Sequence, residues 1–233
     1  MVSIKGLEKF APKDFPGVIS ATLFVGGCNF RCPYCHNADL VLKPHHLPDF
    51  PFDYLLSFLD ERQGWLEGVC ISGGEPLLEA DIATICSLLK DRGLLVKIDT
   101  NGSRPRQLQE LLEENLVDTV AMDVKTSMSK YRLLVPGQDH VENKVKESIK
   151  LLLQTEKQVV FRTTVVPLLV EKEDIIEIAH LIQGAQLYIL QQFQPHNTLD
   201  KSYEDIKPYP LSWLEEVAEI ARLYVGQVRI EGE

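Results

Sequence analysis

The chain has 233 residues, of which 45% are hydrophobic and 25% are charged, a composition typical of a globular protein. Its formal net charge of -10 makes it a poor candidate for binding nucleic acids, whose phosphate backbones select basic surfaces. No apolar run approaches the roughly 18 residues that a membrane span requires, and the first residues lack the apolar core of a secretory signal. We therefore expect a cytoplasmic protein with no nucleic-acid partner and no membrane partner.

Apolar runs rich in β-forming residues recur at fairly even intervals, and helical patterns lie between them. The six runs cover residues 18–26, 68–73, 94–100, 117–125, 158–166 and 186–193. Most are continuously apolar, as expected of strands buried on both faces. Six βα units predict an α/β fold with a parallel sheet, either open and doubly wound or part of a (β/α) barrel. In both architectures ligands bind at the C-terminal ends of the strands.

The helical patterns cover residues 53–62, 79–93, 103–115, 143–154, 173–184 and 212–224. Ser103 is a candidate cap for the third helix, and Ser212 with Glu215 has the spacing of a capping box. Two long connections, 36–51 and 126–142, are candidate functional loops. We predict a single domain over 1–233, with a core of about 18–193 and a C-terminal helix and tail at 212–233.

Three cysteines, Cys28, Cys32 and Cys35, lie within eight residues just after the first predicted strand and are followed by His36. Thiolates are soft ligands for zinc or for iron–sulfur clusters. Zinc would require a fourth ligand, but the side chains of adjacent residues diverge and the chain has no second zinc knuckle. A cubane cluster normally takes four cysteines, so three leave one iron open. We interpret the triplet as cluster ligands, with zinc as the alternative.

The triplet, with Tyr34 before its last cysteine, resembles that of the radical S-adenosylmethionine (SAM) superfamily. Four later segments are similar to motifs of that family, and each lies at the C-terminal end of a predicted strand: SGGEP (72–76), DTNG (99–102), DVK (123–125) and PHNTLD (195–200). The resemblance implies a partial (β/α)6 TIM-like barrel of the radical SAM type. It also implies a [4Fe-4S] cluster held by Cys28, Cys32 and Cys35, whose open iron is chelated by SAM. One electron from the cluster would then cleave SAM to methionine and a 5′-deoxyadenosyl radical.

The resemblance assigns further residues to the SAM molecule. Gly73, Gly74 and Glu75 are expected to bind the methionyl amine, with glycine allowing a ligand to approach the backbone. Tyr34 is expected to lie against the adenine, because an aromatic ring offers stacking area. His36 is expected nearby as a neighbour of the cofactor.

A second group of implied contacts lies around the SAM carboxylate. By similarity to the activating enzyme of pyruvate formate-lyase, Asp99, Thr100 and Asp123 are candidates for a monovalent-cation site there. Asn101, in the same segment, is a further cofactor-binding candidate. Lys125 should point the same way as Asp123, because strand side chains alternate. Its ammonium could pair with the methionyl carboxylate of SAM or with Asp123.

Two residues from later in the chain complete the candidate site. His196 is similar to the late histidine of the family, which contacts the nucleoside end of SAM. Arg162 projects from the fifth predicted strand, where an unpaired buried cation would be costly, so we expect it to meet the SAM carboxylate or a substrate peptide. Cys70 and Cys86 have apolar neighbours and are interpreted as buried packing residues.

Within the superfamily, the segment CNFRCPYCHN closely resembles the triplet of enzymes that activate glycyl-radical enzymes. The longer segment 15–37 is most similar to the activating proteins of anaerobic ribonucleoside-triphosphate reductase. This implies abstraction of a glycyl hydrogen from a partner enzyme, with flavodoxin or ferredoxin as reductant. Activation of pyruvate formate-lyase or another glycyl-radical enzyme is the nearest alternative, and a small-molecule radical SAM reaction is more distant. A non-catalytic iron–sulfur or zinc-binding protein is the alternative of another class.

Overall fold

The computed structural model describes residues 2–135, 137 and 139–232. The eight strands of this region form one sheet in which spatial order follows chain order. The first strand runs antiparallel to the second, and all later neighbours are parallel. The strands are β1 (Ile4–Glu8), β2 (Ser20–Val25), β3 (Gly68–Gly73), β4 (Leu95–Thr100), β5 (Thr119–Asp123), β6 (Gln158–Val165), β7 (Leu187–Gln192) and β8 (Gln227–Glu231).

At least one helix lies in every connection between parallel strands, as right-handed βα crossovers require. The helices are α1 (Ala38–Leu42), α2 (Phe52–Glu61), α3 (Ile82–Lys90), α4 (Pro105–Glu113), α5 (Val141–Gln154), α6 (Lys172–Leu181) and α7 (Leu211–Ala221). The α/β fold class and the partial TIM-like barrel are therefore confirmed. Among the described residues, no helix has both the length and the apolar character needed to cross a membrane.

All six predicted strands are present, but the sequence analysis missed two more. β1 is a short antiparallel strand at one edge of the sheet. β8 lies at the other edge, within the segment that was predicted to be only a tail, and pairs in parallel with β7. In β8 the buried Val228 alternates with the exposed Gln227 and Arg229, a half-buried pattern that differs from the continuous apolar runs elsewhere. The barrel therefore has seven parallel strands rather than six.

The two faces of the sheet differ in chemistry. On β4, Val96 and Ile98 belong to the hydrophobic core, and Lys97 and Asp99 alternate with them on the opposite face. The same alternation on β6 places Arg162 on that opposite face. The prediction that most strands are apolar on both faces is thus wrong for the middle of the sheet. The concave face of the barrel carries charged residues there.

Both predicted helix caps are wrong. α4 begins at Pro105, and Ser103 lies before it as a buried residue whose side chain makes no capping hydrogen bond to the helix. Ser212 lies inside α7 rather than before it. Proline suits the first turn of a helix because its missing N–H would have no partner there. A capping box occurs instead at the start of α6, where the side chains of Glu171 and Asp174 each accept from the other's backbone N–H.

The two long connections contain short helices. The first, 36–51, holds α1 and a 3₁₀ turn at Pro44–His46. The second, 126–142, holds a 3₁₀ helix at Met128–Leu133, which packs beside the cysteine loop. Pro136 and Gln138, within this second prediction, lie outside the described residues.

Candidate cofactor site at the strand ends

A polar cavity of about 160 Å³ lies where the parallel strands end. Its wall brings together the cysteine loop and the motifs that follow β3, β4 and β5, as the parallel topology requires. Thirteen of the fifteen predicted site residues line it: Cys28, Cys32, Tyr34, Cys35, Gly73, Gly74, Glu75, Asp99, Thr100, Asn101, Asp123, Lys125 and Arg162.

The other two predicted residues, His36 and His196, lie together at the protein surface. Their ring centroids are 5.1 Å apart, and His36 Nε2 lies 3.1 Å from the carbonyl oxygen of Gln194. His36 lines a second, wider cavity of about 730 Å³. That cavity shares Tyr34 and Lys125 with the polar cavity, so the two open into the same region.

The three cysteines of the triplet are free thiols that face the polar cavity. Burial raises the pKa of Cys28 to about 11 and that of Cys32 to about 12. Deprotonation of these thiols therefore requires a nearby positive charge, which a metal centre supplies. Cys28 Sγ also accepts from the backbone N–H of Phe30 (3.4 Å) and from Asn101 Nδ2 (3.8 Å). Hydrogen bonds to sulfur are one way a protein sets the potential of an iron–sulfur cluster.

A single metal ion fits this site less well than a cluster does. In the described part of the chain, no three His, Cys, Asp or Glu side chains converge on a point that could hold one metal ion. A cubane cluster distributes its thiolate ligands over separate irons and so needs no such point. The cysteine triplet is therefore compatible with a cluster, whose thiolate ligands bind separate irons.

The two glycines of the SGGEP segment are required by backbone packing. A Cβ added at Gly74 would lie 1.8 Å from the carbonyl oxygen of Gly27, and one at Gly73 would lie 2.6 Å from that of Val25. Gly73 also has a φ of +111°, which favours glycine. Close approach of a ligand, the reason given from the sequence, stays a prediction. The glycines let the loop after β2 pack directly on the end of β3.

The Glu75 carboxylate links the SGGEP and DTNG segments. Oε1 accepts from Thr100 Oγ1 (2.7 Å) and from Leu77 N (3.1 Å), and Oε2 accepts from Asn101 N (2.7 Å). Burial raises its pKa to about 7, although these three hydrogen bonds lower it. In the structure this carboxylate holds two cavity-lining loops together, and its expected contact with the methionyl amine stays a prediction.

Five charged side chains form a network on the concave face. Arg162 contacts Asp123 (Nε–Oδ1, 2.7 Å) and Asp99 (Nη1–Oδ2, 3.3 Å). Lys125 Nζ lies 2.8 Å from Asp123 Oδ2, as strand alternation predicted, and Lys97 contacts Asp99. Burial would raise the pKa of each aspartate, but Arg162 and the two lysines outweigh it and hold both pKa values below their usual range. Three cations thus face two carboxylates, which leaves one positive charge uncompensated within the network.

Residues 22–182 match the model of the Radical SAM superfamily. This chain belongs to the radical SAM superfamily. A relative from Methanocaldococcus jannaschii, provisionally named glycyl-radical enzyme activating enzyme MJ1227, is 34% identical over 231 residues, covering 97% of this chain and 95% of that protein. The pyruvate formate-lyase-activating enzyme of Streptococcus mutans is 29% identical, covering 89% of this chain and 83% of that protein. The chain is thus a radical SAM enzyme.

Solved structures agree in fold. Streptococcus suis SuiB bound to S-adenosylmethionine has a TM-score of 0.66 at 18% identity, over 88% of this chain and 48% of that chain. The present chain therefore spans about half the length of SuiB. A domain of the pyruvate formate-lyase-activating enzyme from Bacteroides vulgatus has a TM-score of 0.57 at 16% identity, over 71% of this chain and 99% of that domain.

The site fits the cofactors that the radical SAM family implies, a [4Fe-4S] cluster and SAM. The cysteine triplet supplies three soft ligands, and the positive charge of the network suits a carboxylate. Tyr34 is buried, lines both cavities, and its hydroxyl has no hydrogen-bond partner among the described residues. A buried hydroxyl without a partner is rare in a complete site, so a bound molecule is expected to satisfy it.

Sequence reasoning missed Lys97 as a member of the charge network. Lys97 is 3% exposed and its Nζ lies 3.6 Å from Cys70 Sγ, while Cys70 itself is buried as predicted. The signal was present, because a residue two positions before Asp99 in a strand must face the same way. Asn37 was also missed. Its Nδ2 donates to the carbonyl oxygen of Gly73 (3.0 Å) and joins the cysteine loop to the SGGEP segment.

Proposed function

We propose that this chain abstracts a hydrogen atom from a glycine of a partner enzyme and leaves a backbone radical there. The observation that carries the proposal is the wide cavity beside the cysteine triplet. Similarity over nearly the whole chain to MJ1227, and over most of it to a pyruvate formate-lyase-activating enzyme, supports it. Both relatives are named as activating enzymes.

The wide cavity has a wall suited to a polypeptide. Gln191, Gln192 and Gln194 line it with Thr164, at the ends of β6 and β7. Primary amides and hydroxyls donate and accept hydrogen bonds, as the peptide backbone does. A glycine has no side chain to be recognised, so an extended glycyl segment needs such backbone partners. The volume of about 730 Å³ and the opening to the surface at His36 leave room for this segment.

The residues around the cavities would have separate roles in the reaction. Cys28, Cys32 and Cys35 would hold the cluster. When bound, the cluster and SAM supply one electron and a source of a carbon-centred radical. Lys125 would hold the SAM carboxylate through an ammonium that Asp123 keeps charged, since Asp123 raises the pKa of Lys125 despite burial. The hydroxyl of Tyr34 would donate a hydrogen bond inside the site.

The remaining contacts exclude water and fix the walls. Glu75, Thr100 and Asn101 hold the two loops in place, and His36 with His196 would cover the nucleoside end of SAM. Exclusion of water protects reactive intermediates from side reactions.

Finer assignments are also proposals. Similarity of residues 15–37 favours anaerobic ribonucleoside-triphosphate reductase as partner, with pyruvate formate-lyase as the alternative. Flavodoxin or ferredoxin in the cytoplasm would supply the electron. We leave the monovalent cation out of the proposal, because Asp99 and Asp123 already contact three side-chain cations.

The test combines cofactor chemistry with partner activation. The protein is reconstituted anaerobically with iron and sulfide, reduced, and mixed with SAM and either candidate partner. We expect 5′-deoxyadenosine in the product and a glycyl doublet in the electron paramagnetic resonance spectrum of one partner. The matched control is Cys32→Ala, which should give neither. An intact cluster without 5′-deoxyadenosine would refute the enzymatic proposal. Stoichiometric zinc in place of iron and sulfide would favour the binding-protein alternative.

A further inference from the structure

We propose that an acidic one-electron carrier protein docks on the outer side of the cysteine loop, on a surface formed by Arg31, Arg132 and Leu133. This surface, called the loop patch below, deepens the proposed function and rests on it, because it concerns how the electron enters the site. The inner side of the loop faces the two cavities, which the proposed function gives to SAM and the glycyl segment. A protein donor therefore needs the outer side.

The cysteine loop and the 3₁₀ helix Met128–Leu133 are packed together and share one surface. Arg31 stands between Cys28 and Cys32 in the chain, and its backbone N–H donates to the carbonyl oxygen of Leu134 at 2.7 Å. Beneath them, the rings of Phe30 and Tyr131 meet edge to face at 6.1 Å. Arg31 is exposed, whereas the next residue in the chain, Cys32, is buried, so this surface directly adjoins an expected cluster ligand.

Among the described residues, neither arginine of the loop patch takes part in an ion pair. The guanidinium of Arg31 donates to two carbonyl oxygens of the described chain, those of Cys28 (2.7 Å) and Phe30 (2.8 Å). Arg132 is exposed and takes part in none of the ion pairs found among the described residues. The neighbouring Lys130 differs, because its Nζ lies 2.6 Å from an Asp174 oxygen.

Charge and exposed apolar area together indicate the occupant. The whole chain has a net charge of -10, and this overall charge repels an acidic carrier. Two uncompensated arginines beside the cluster ligands offer such a carrier a favourable approach, and complementary charge steers encounter. Leu133, at 57% exposure, supplies an apolar contact at the same place. An acidic donor is favoured over a basic or neutral one on these grounds.

The experiment compares a protein donor with a small one on the reconstituted full chain. Arg132→Glu and Leu133→Asp are tested separately, with Arg106→Glu as the matched control. Arg106 lies on α4, is 86% exposed and has no place in the loop patch. Arg31 is kept, since its guanidinium holds the carbonyls of the loop. The donors are a reduced flavodoxin of strongly negative net charge and photoreduced deazaflavin, a small neutral reductant. Cluster reduction is followed by stopped-flow absorbance.

We expect Arg132→Glu to slow reduction by flavodoxin roughly tenfold at low salt, the lower end of the range for electrostatic steering. The difference should shrink as salt screens the charges. Leu133→Asp should slow it in the same direction. The rate of cluster reduction by deazaflavin should be the same in every variant. Arg106→Glu should be reduced at the unmodified rate by both donors.

Two results would overturn the proposal. Unchanged flavodoxin rates in both variants would show that the donor docks elsewhere. A lower glycyl-radical yield in Arg132→Glu when deazaflavin is the reductant would assign the loop patch to the substrate protein. Failure of the proposed function is distinguishable from either, because the unmodified chain would then make no 5′-deoxyadenosine with any reductant.

Discussion

Glu75 is the buried carboxyl whose ionisation should govern the stability of the site, and Glu75→Gln tests this directly. The residue is 1% exposed and its pKa in the folded chain is about 7, against an ordinary value of 4.5. Between these two values the folded chain keeps a proton that the unfolded chain has lost. The free energy of unfolding contributed by Glu75 is therefore highest below pH 4.5 and falls as the pH rises towards about 7.

The size of the effect follows from the difference between the two pKa values. A rise from 4.5 to about 7 corresponds to a loss of about 3 kcal/mol of unfolding free energy. Glutamine does not titrate, so the variant lacks this loss. Its Nε2 must face the N–H of either Asn101 or Leu77 and leaves that donor unpaired, which costs about 1–3 kcal/mol at every pH.

The assay is urea unfolding of the metal-free protein, followed by circular dichroism from about pH 5 to pH 8. We expect the unmodified chain to be the more stable at low pH, and its advantage over Glu75→Gln to shrink by about 2–3 kcal/mol across this range. Glu110→Gln, at an exposed position on α4, is the matched control. An advantage that grows with pH would refute the reasoning. It would mean that the three hydrogen bonds outweigh burial and keep the carboxyl ionised.

Three further substitutions test the site and its packing. Cys32→Ala should abolish iron retention and visible absorbance while costing less than about 2 kcal/mol of unfolding free energy; global unfolding would indicate a structural metal instead. Gly74→Ala, whose Cβ would lie 1.8 Å from a backbone oxygen, should cost more than about 3 kcal/mol. Gly64 has a positive φ, but an added Cβ there would meet no atom within 4 Å, so Gly64→Ala should cost about 1–2 kcal/mol. Equal costs for Gly64→Ala and Gly74→Ala would contradict the packing argument. Arg162→Met should cost about 1–3 kcal/mol at neutral pH, because it removes the hydrogen-bonded contacts to Asp99 and Asp123, each of which keeps one lysine partner. Arg106→Met removes one member of an exposed ion pair and should cost no more than about 0.5 kcal/mol of unfolding free energy in the same urea titration. An equally small cost for Arg162→Met would contradict burial of the network.

The gathering of the motifs could be predicted because parallel strands end at one edge. The sequence places SGGEP, DTNG and DVK after successive strands, and topology alone then brings them to one cavity. Side-chain alternation adds direction, which is why the contact between Asp123 and Lys125 was foreseen. These inferences need only the order of the elements and the two-residue period of a strand.

The charge network could not be predicted, because it depends on the register between strands. Asp123 lies beside Arg162 in the pairing of β5 with β6, and Asp99 lies beside Ala121 on β5. The small side chain of Ala121 leaves space through which Arg162 reaches Asp99. A shift of register by two residues would keep every side chain on its face and change every partner. The sequence contains no signal that separates these registers.

The excess positive charge links the fold to the function. Buried ion pairs are costly unless each charge has partners, and among the described residues Lys97, Lys125 and Arg162 form ion pairs with Asp99 and Asp123 alone. A fold selected for stability alone would balance this network or replace it with apolar residues. Retaining the third cation, next to buried thiols and the partnerless hydroxyl of Tyr34, is consistent with a site that is completed by an anionic molecule. The polar interior of the barrel is therefore better explained by what the cavity binds than by the requirements of folding.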